Sequence, residues 1–566
     1  MKKTIIFTIT LLSFTFLKAQ IASFPGAEGF GASTTGGRGG QIIFVTNLNC
    51  GGPGSLNEAL QTPGPKYILF KVSGIIDCAA EILDGNCYLA GQTSPNGIIV
   101  RGIIADDYYN PSANPNNLII RHMRSRGIGT HPTLNMATDP IVISGAENVI
   151  IDHCTFSNSD DEAIDISRTK KLTIQNTLLA ETVGSHFDLG GMLFNYSTPG
   201  NILDSISIHH NNWNRLGGRM PEFSCEDPSA CTGSTFNIEY SCNLLWDQQR
   251  VVYHNSDTDL TNGSDPGFVE PYFLRANFIN NYGMSRPNYC EAMFLNTFLN
   301  TAQNQLFVSG NKHNRYPTFS DYELFNCCSD FCTTGLPNTD FGTAQLLTTR
   351  NNFPSITYTN ALDLPNYMIA NVGAFPRSPH EQRLIGAISQ NTFNSAPLNV
   401  NAEDDVLDLL PDLNNYPTDS DNDGMPDYWE IIHGLNVSSQ DHNGTNLSQN
   451  ITGVSGYTNL ECYLNCLSDA LVNNSLATCG IVLNTSEIKG EAAPKFVFPN
   501  PAKEKISILK PNSENSVIEI YSLEGKLINV YNFNSNSKLD ININEFPAGI
   551  VFVKIGQVVE KIEILK

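Results

Sequence analysis

The sequence predicts an all-β protein: a parallel β-helix, then a small acidic-loop module, then a small C-terminal β-sandwich-like domain. Three observations carry this. A strand-like run recurs seven times, beginning at residues 117, 148, 171, 205, 236, 272 and 305. The region from about 24 to 400 is rich in Gly, Asn, Thr, Ile and Val and poor in the 3.6-residue apolar period of helices. Near residue 400 the texture changes to an acidic linker, "NAEDDVLDLLPDLNNYP", and near 495 it changes again.

The chain has 566 residues and 14 cysteines, with a formal net charge of −23. That length predicts several domains and a sizeable core. Its first residues, "MKKTIIFTITLLSFTFLKAQ", have the shape of a secretory signal peptide over 1–19, with Ala19 as the last residue before cleavage. The apolar run is too short for a membrane anchor, and no other stretch reaches the roughly 20 apolar residues needed to span a bilayer. So many cysteines suit an oxidising, exported location. The close groups Cys225/Cys231, Cys327/Cys328/Cys332 and Cys462/Cys466 are candidate loop staples, and no histidine completes a zinc-like spacing around them. The acidic surface repels phosphate backbones, so no nucleic-acid partner is expected. It also repels an acidic polysaccharide unless the binding site brings its own cations.

In the solenoid region, 20–400, the runs "NLIIRHMRSR", "NVIIDHCTFSNS", "KLTIQNTLLAE", "SISIHHNNWNR", "FNIEYSCNLLWD", "YFLRANFINNY" and "QLFVSGNKHNR" start 23 to 36 residues apart. Each alternates β-branched residues and is often followed by Asn or His and a second short strand. One unit recurring at this interval indicates rungs that bury their apolar faces against their neighbours. A β-sandwich would instead show hairpin turns every 8 to 12 residues.

In the module over 401–480, Asp419, Asp421, Asp423, Gly424 and Glu430 fit the D-x-D-x-D-G-x5-E calcium loop. Alternate carboxylates converge on one ion, the glycine permits the turn, and Glu430 can close the shell through both oxygens. Asp427, at the ninth position, is a further ligand, direct or through water. With "GYTNLECYLNCL" after it, this region resembles the D-x-D-x-D-G-M-P-D-x-W-E modules of secreted bacterial polysaccharide enzymes, which implies a structural Ca2+. Over 490–566, "FPNPAKEKISI", "IEIYSLEGKLI" and "FPAGIVFVKI" resemble the sorting domain of type IX secretion substrates of Bacteroidetes. That resemblance implies the type IX machinery as a partner and a secreted or cell-surface location; a carbohydrate-binding domain is the alternative.

In the solenoid, "FPGAEGFGASTTGGRGG", "VTNLNCGGPGSLNEAL", "YLAGQTSPNGIIVRG", "NVIIDHCTFS" and "HHNNWNRLGGRMP" occur in an order that resembles the pectate lyase family of right-handed parallel β-helices. The resemblance covers residues 24 to about 390. It implies a monomeric, Ca2+-dependent lyase that breaks an acidic plant polysaccharide, pectate or pectin, by β-elimination. The proton leaves C5, α to a carboxylate on which negative charge builds, so a bound cation is needed there. On the same basis Asp139, Asp161 and Asp165 hold the catalytic Ca2+, with Asp160 and Glu162 as flanking substitutes. Arg219 is the base and Pro221 belongs to its R-x-P motif. His186 stands near a substrate-contacting position. The second arginine of the motif is replaced by Ser224, with Glu222 and Phe223 between. Arg215, Arg250 or Arg275 would restore the missing cation; otherwise the substrate is a methyl-esterified or modified uronate.

Asp152 and His153 form no acid–base pair in this reading, because neighbours on a strand face opposite ways, and His209 and His210 are structural. Arginine is a poor base by itself: holding it neutral at pH 8 costs roughly 6 kcal/mol. A nearby Ca2+ lowers that cost, and an alkaline optimum follows. Two other classes stay open. A galacturonan hydrolase needs paired carboxylates, which Asp160 and Asp161 imitate, although its "NTD" and "RIK" motifs are missing. A non-catalytic glycan-binding β-helix is favoured by Ser224.

Overall fold

The structure, a computed structural model, describes residues 21–127, 139–183, 190–195, 203–225, 228–254, 271–287, 289, 292–326, 335–393, 409, 416–475, 479, 496–510, 517–522, 526–533, 536–546, 548–555 and 558–565. The signal-peptide reading over 1–19, His186, the cluster at Cys327, Cys328 and Cys332, and nearly all of the 401–415 linker lie outside them. The chain divides into two compact units, Met1–Leu483 and Asn484–Lys566.

Parallel pairing runs through three sheets of the first unit, with eleven, nine and seven strands. One rung shows the path. Glu147–Asp152 lies in the first sheet, Thr155–Ser159 in the second and Ile164–Ser167 in the third, and Lys170–Gln175 then returns to the first. Strands pair in register with the equivalent strand one rung away, Val149 with Leu172 and Val142 with Asp165 among them. This is the parallel β-helix that the recurring runs predict.

The Asn or His after each run has a physical role. His122, His153, Asn176, His210 and Asn280 all take positive φ between 51° and 56° as the chain turns from the first sheet to the second, a region most side chains avoid. Beside them runs an amide ladder. The backbone N–H of Asn211, Asn243 and Asn281 donates to the side-chain oxygen of Asn243, Asn281 and Asn311 in turn, at 3.2, 3.0 and 2.9 Å. Buried turn amides thereby gain partners rung after rung.

Alternate residues split between two cores. Val149, Ile151, Leu172 and Ile174 face the solenoid interior. From the outer face of the first sheet, Tyr67, Leu69, Tyr88, Ile119 and Ile150 pack against Met425, Trp429, Leu460 and Leu464. The acidic-loop module thus shares a core with the solenoid, where the sequence reading expects a segment of its own. Helix Asn459–Val472 carries a capping box of Thr458 and Glu461, and Arg38 donates to Glu461 at 2.8 Å.

On the second sheet, Leu178, Ala180, Leu244 and Trp246 meet Leu364, Met368, Leu384 and Ile385 of helices Leu364–Asn371 and Pro379–Ser389. These two helices differ from the expectation of a helix-poor region up to 400. Apolar area needing cover, rather than a long amphipathic repeat, explains such short helices. On the third sheet the outward positions include two carboxylates, Asp165 and Glu222, and those locate the site.

Among the cysteines, Cys225 bonds Cys231, as their spacing suggests, and Cys50 bonds Cys78. Cys466 bonds Cys479, and Cys462 is a buried free thiol. The Cys462/Cys466 staple is therefore corrected: residues four apart on a helix share a face but hold their Cβ atoms about 5–6 Å apart, wider than the roughly 3.5–4.5 Å of a disulfide, and Cys466 pairs with Cys479 instead.

The second unit is antiparallel. A three-stranded sheet (Val497–Phe498, Lys505–Leu509, Lys538–Asn542) and a four-stranded one (Val517–Ser522, Leu527–Asn532, Gly549–Ile555, Val558–Ile564) share a core that includes Ile506, Ile520, Val551 and Ile562.

Candidate active site and calcium sites

On the third sheet the strand registers align one outward row: Ile104, Val142, Asp165, Leu193, Glu222 and Tyr253. The turns that lead into these strands bring the remaining candidates. Asp139 precedes Ile141–Ser144, Asp161 and Glu162 precede Ile164–Ser167, and Arg219 precedes Glu222–Ser224.

Backbone contact stacks these turns, and the Gly-Gly steps of "DLGGM" and "RLGGRM" allow it. Ala163 N–H donates to the Gly191 carbonyl at 2.7 Å, Met192 N–H to the Arg219 carbonyl at 2.9 Å, and Gly218 N–H to the Gly190 carbonyl at 2.8 Å. A Cβ on Gly191 would stand 2.1 Å from the Arg219 oxygen, so only glycine fits. Arg219 itself has φ +43° and is followed by a cis Met220–Pro221 bond. The Tyr240 hydroxyl donates to the Met220 carbonyl at 2.9 Å.

The Arg219 guanidinium is buried and ion-paired to Glu162 on one side. Its Nε donates to Glu222 at 2.9 Å on the other. Glu222, which the sequence offers only as a replacement in the motif, is therefore a direct partner of Arg219. The three-residue spacing was the available signal.

Asp139 is partly buried, and its Oδ1 is shielded from solvent with no hydrogen-bond partner. Burial first, then the charges of Asp165 and Asp161, push its carboxyl well above the usual range, against the opposing pull of Arg219. A shielded carboxylate oxygen without a partner, beside the charges of two further aspartates, is the kind of donor a hard cation takes up.

The supplementary arginines fare differently. Arg215, placed by the sequence on the substrate, is buried on the second-sheet side and donates to Glu181 at 2.8 Å. Arg383 grips the same carboxylate at 2.8 and 3.0 Å. Its charge is spent inside the protein, which corrects that assignment. Pro221 is also buried, and its carbonyl accepts the Tyr253 N–H at 2.8 Å, so it shapes the turn and offers no surface to a ligand. Arg275 is exposed on the first sheet, another face. Arg250 lies one rung beyond Arg219, partly exposed, with Nη1 on the Gln249 carbonyl. Ser224 is 1 % exposed, so that position is closed where the motif expects an arginine.

Asp152 and His153 do meet, at 2.8 Å, because His153 already belongs to the positive-φ turn and strand alternation no longer applies. Their surroundings are structural. Arg121 and Gln175 donate to Asp152 at 2.8 and 2.9 Å, and Ser468 of the covering helix joins Arg121 and His122. His209 and His210 are buried, bonded to each other at 3.0 Å, with burial foremost in lowering both pKa values.

In the acidic loop, Asp419, Asp421 and Asp423 offer oxygens within 4.8 Å of one another, and so do Asp423, Glu430 and Asp441. Both Glu430 oxygens are buried without a hydrogen-bond partner. Burial, then Asp423, Asp421 and Asp441, pushes Glu430 up to about 8, and burial foremost takes Asp423 to about 6. These residues fit a cation. Gly424 has φ +89°, and a Cβ there would meet Leu69 at 2.6 Å. Asp427 departs from the expected ligand set: both of its oxygens accept from Ser420 at 2.8 Å. Asp441, outside the twelve-residue motif, stands with Glu430 instead.

Among the described residues no helix is long and apolar enough to cross a membrane. Residues 496–564 match the family described as the secretion system C-terminal sorting domain, and they belong to it. The chain is similar to a protein named probable pectate lyase C from Aspergillus flavus, 27% identical over 465 residues, covering 81% of this chain and 97% of that one. A protein of the same name from Emericella nidulans is 28% identical over 456 residues, covering 79% and 93%. Among solved structures, a Bacillus sp. N165 pectate lyase with trigalacturonate aligns at 15% identity, TM-score 0.36, over 62% of this chain and 99% of that one. The cedar pollen allergen jun a 1 aligns at 14% identity and TM-score 0.34, over 62% and 92%.

Proposed function

We propose that this chain is a secreted or cell-surface polysaccharide lyase of the pectate lyase kind, cleaving (1→4)-α-D-galacturonan by β-elimination. The observation that carries the reading is the partly buried group of Asp139, Asp161 and Asp165, with the charge of Arg219 opposing theirs, at the outer face of the third sheet. Kinship with the proteins named probable pectate lyase C, over nearly their full length, supports it. The sorting domain supports export, and the leader at 1–19 would supply the first step.

When bound by Asp139, Asp161 and Asp165, Ca2+ supplies positive charge to the uronate carboxylate and acidifies its α-proton. Arg219 takes the C5 proton. The C5–H electron pair becomes the C4–C5 double bond, the C4–O bond breaks, and the departing oxygen is protonated by solvent or by the guanidinium. Glu162 and Glu222 fix the guanidinium in direction, and the stacked turns fix its backbone.

One observation favours a second reading of Arg219. Its guanidinium is ion-paired to two carboxylates, Glu162 and Glu222, an arrangement that suits a residue held in place to neutralise the substrate carboxylate. The pH–rate profile of Arg219→Lys separates the two. If Arg219 is the base, the rising limb moves to lower pH, because lysine is the weaker base of the pair. An unmoved limb assigns it the cationic role.

A further inference from the structure

At the far end of the same sheet face the chain displays two adjacent exposed aromatics. Tyr108 and Tyr109 follow strand Ile103–Asp106 and are 59% and 60% exposed. Their rings meet edge to face, 5.2 Å apart at 85°. The turn below them is built. Tyr108 N–H donates to Asp106 at 2.6 Å, and the Arg168 guanidinium pairs with Asp107, reaches Ser144 at 2.7 Å and lies 5.4 Å from the Tyr108 ring. Strand Ile103–Asp106 is next to Ile141–Ser144 and two strands from Ile164–Ser167, so the pair stands roughly 5 to 10 Å along the solenoid axis from the calcium-ligand rungs. Burial first, then Asp106, Tyr108 and Asp165, raise the Tyr109 hydroxyl's pKa, which places it in the field of the site.

We infer that Tyr108 and Tyr109 form a subsite that stacks a sugar ring of the polymer, and that it takes a galacturonosyl unit whose carboxyl is methyl-esterified. This rests on the lyase reading above. Aromatic faces suit the apolar C–H face of a sugar ring. The charges around the pair disfavour a free carboxylate: Asp106 and Asp107 are balanced only in part by Arg168, which they already hold. A neutral ester escapes that repulsion. The substrate class is then partly esterified pectin, with a free carboxylate at the calcium and esters beyond it.

The test compares Tyr108→Ala/Tyr109→Ala and Tyr109→Phe with the unmodified protein on pectins of graded esterification, melting temperatures confirming the fold. The double variant is expected to raise KM on highly esterified pectin about tenfold, with kcat held, and to change KM on de-esterified pectate less than about twofold. Tyr109→Phe keeps the ring and should behave as the parent. An unchanged KM on esterified pectin, or an equal rise on both substrates, overturns the subsite. Retardation in gels containing esterified pectin reads binding without turnover. If no galacturonan is cleaved at all, the lyase reading fails, and the gel result still decides the subsite: retardation lost in the double variant supports it, and retardation kept refutes it.

Discussion

Glu381→Gln should destabilise the first unit by about 3 kcal/mol at neutral pH without impairing the chemistry on the third sheet. Glu381 is fully buried and accepts from Arg124 at 2.8 and 3.1 Å, with Arg126 at 3.4 Å. Burial alone would raise its pKa, but the Arg124 and Arg126 charges outweigh it and hold the carboxyl down to about 2, from an ordinary 4.5. At 1.36 kcal/mol per unit that shift is worth about 3 kcal/mol, which agrees with the 3–5 kcal/mol typical of removing one partner from a buried pair. Glutamine preserves the capping box with Ser378, so the substitution isolates the charge. For a unit of about 480 residues, an unfolding entropy near 2.1 cal/mol/K per residue turns this into a drop of ~3 °C in Tm.

Because the folded pKa is depressed, the stabilisation is present above about pH 4.5 and is lost as pH falls toward 2. The melting gap between parent and variant should therefore be full at pH 7 and close on acidification. Scanning calorimetry across that range measures it. A Tm within about 1 °C of the parent at pH 7, or a gap that persists at pH 2, would refute the reasoning.

Two further outcomes concern the acidic loop and the misplaced arginine. Millimolar Ca2+ should raise the parent's melting temperature, and Glu430→Gln should abolish most of that rise, since both Glu430 oxygens lack any other partner; thermal melts with and without chelator check it, and an undiminished rise would remove Glu430 from the shell. Arg215→Ala should lower stability by about 2 kcal/mol, the loss of one charge-assisted hydrogen bond to buried Glu181, which Arg383 still holds, while KM on pectate stays within about twofold. A large KM change at unchanged Tm would return Arg215 to the substrate.

The solenoid was legible because each rung repeats the same local demands: alternating apolar residues, then an Asn or His able to take positive φ. The acidic loop was legible for a similar reason, since Asp419, Asp421 and Asp423, whose oxygens it brings together, are local. What escaped the sequence is what comes from far along the chain. Glu181, 34 residues from Arg215, and Arg383 absorb that arginine's role. Asp441 joins Glu430 while Asp427 turns to Ser420. The helices over the outer faces carry short apolar stretches that gain meaning only once the sheets exist to be covered. Glu222 was visible in the motif, yet its contact with Arg219 depends on a turn conformation that no residue type announces.

The most direct measurement follows the ultraviolet absorbance of the 4,5-unsaturated uronate during incubation with polygalacturonate, in calcium and in chelator, for the parent and for Arg219→Lys. The account predicts absorbance that grows in calcium, stops in chelator, and falls at least about a hundredfold in a folded Arg219→Lys protein. New chain ends without that absorbance, or full-rate turnover by the variant, would contradict it.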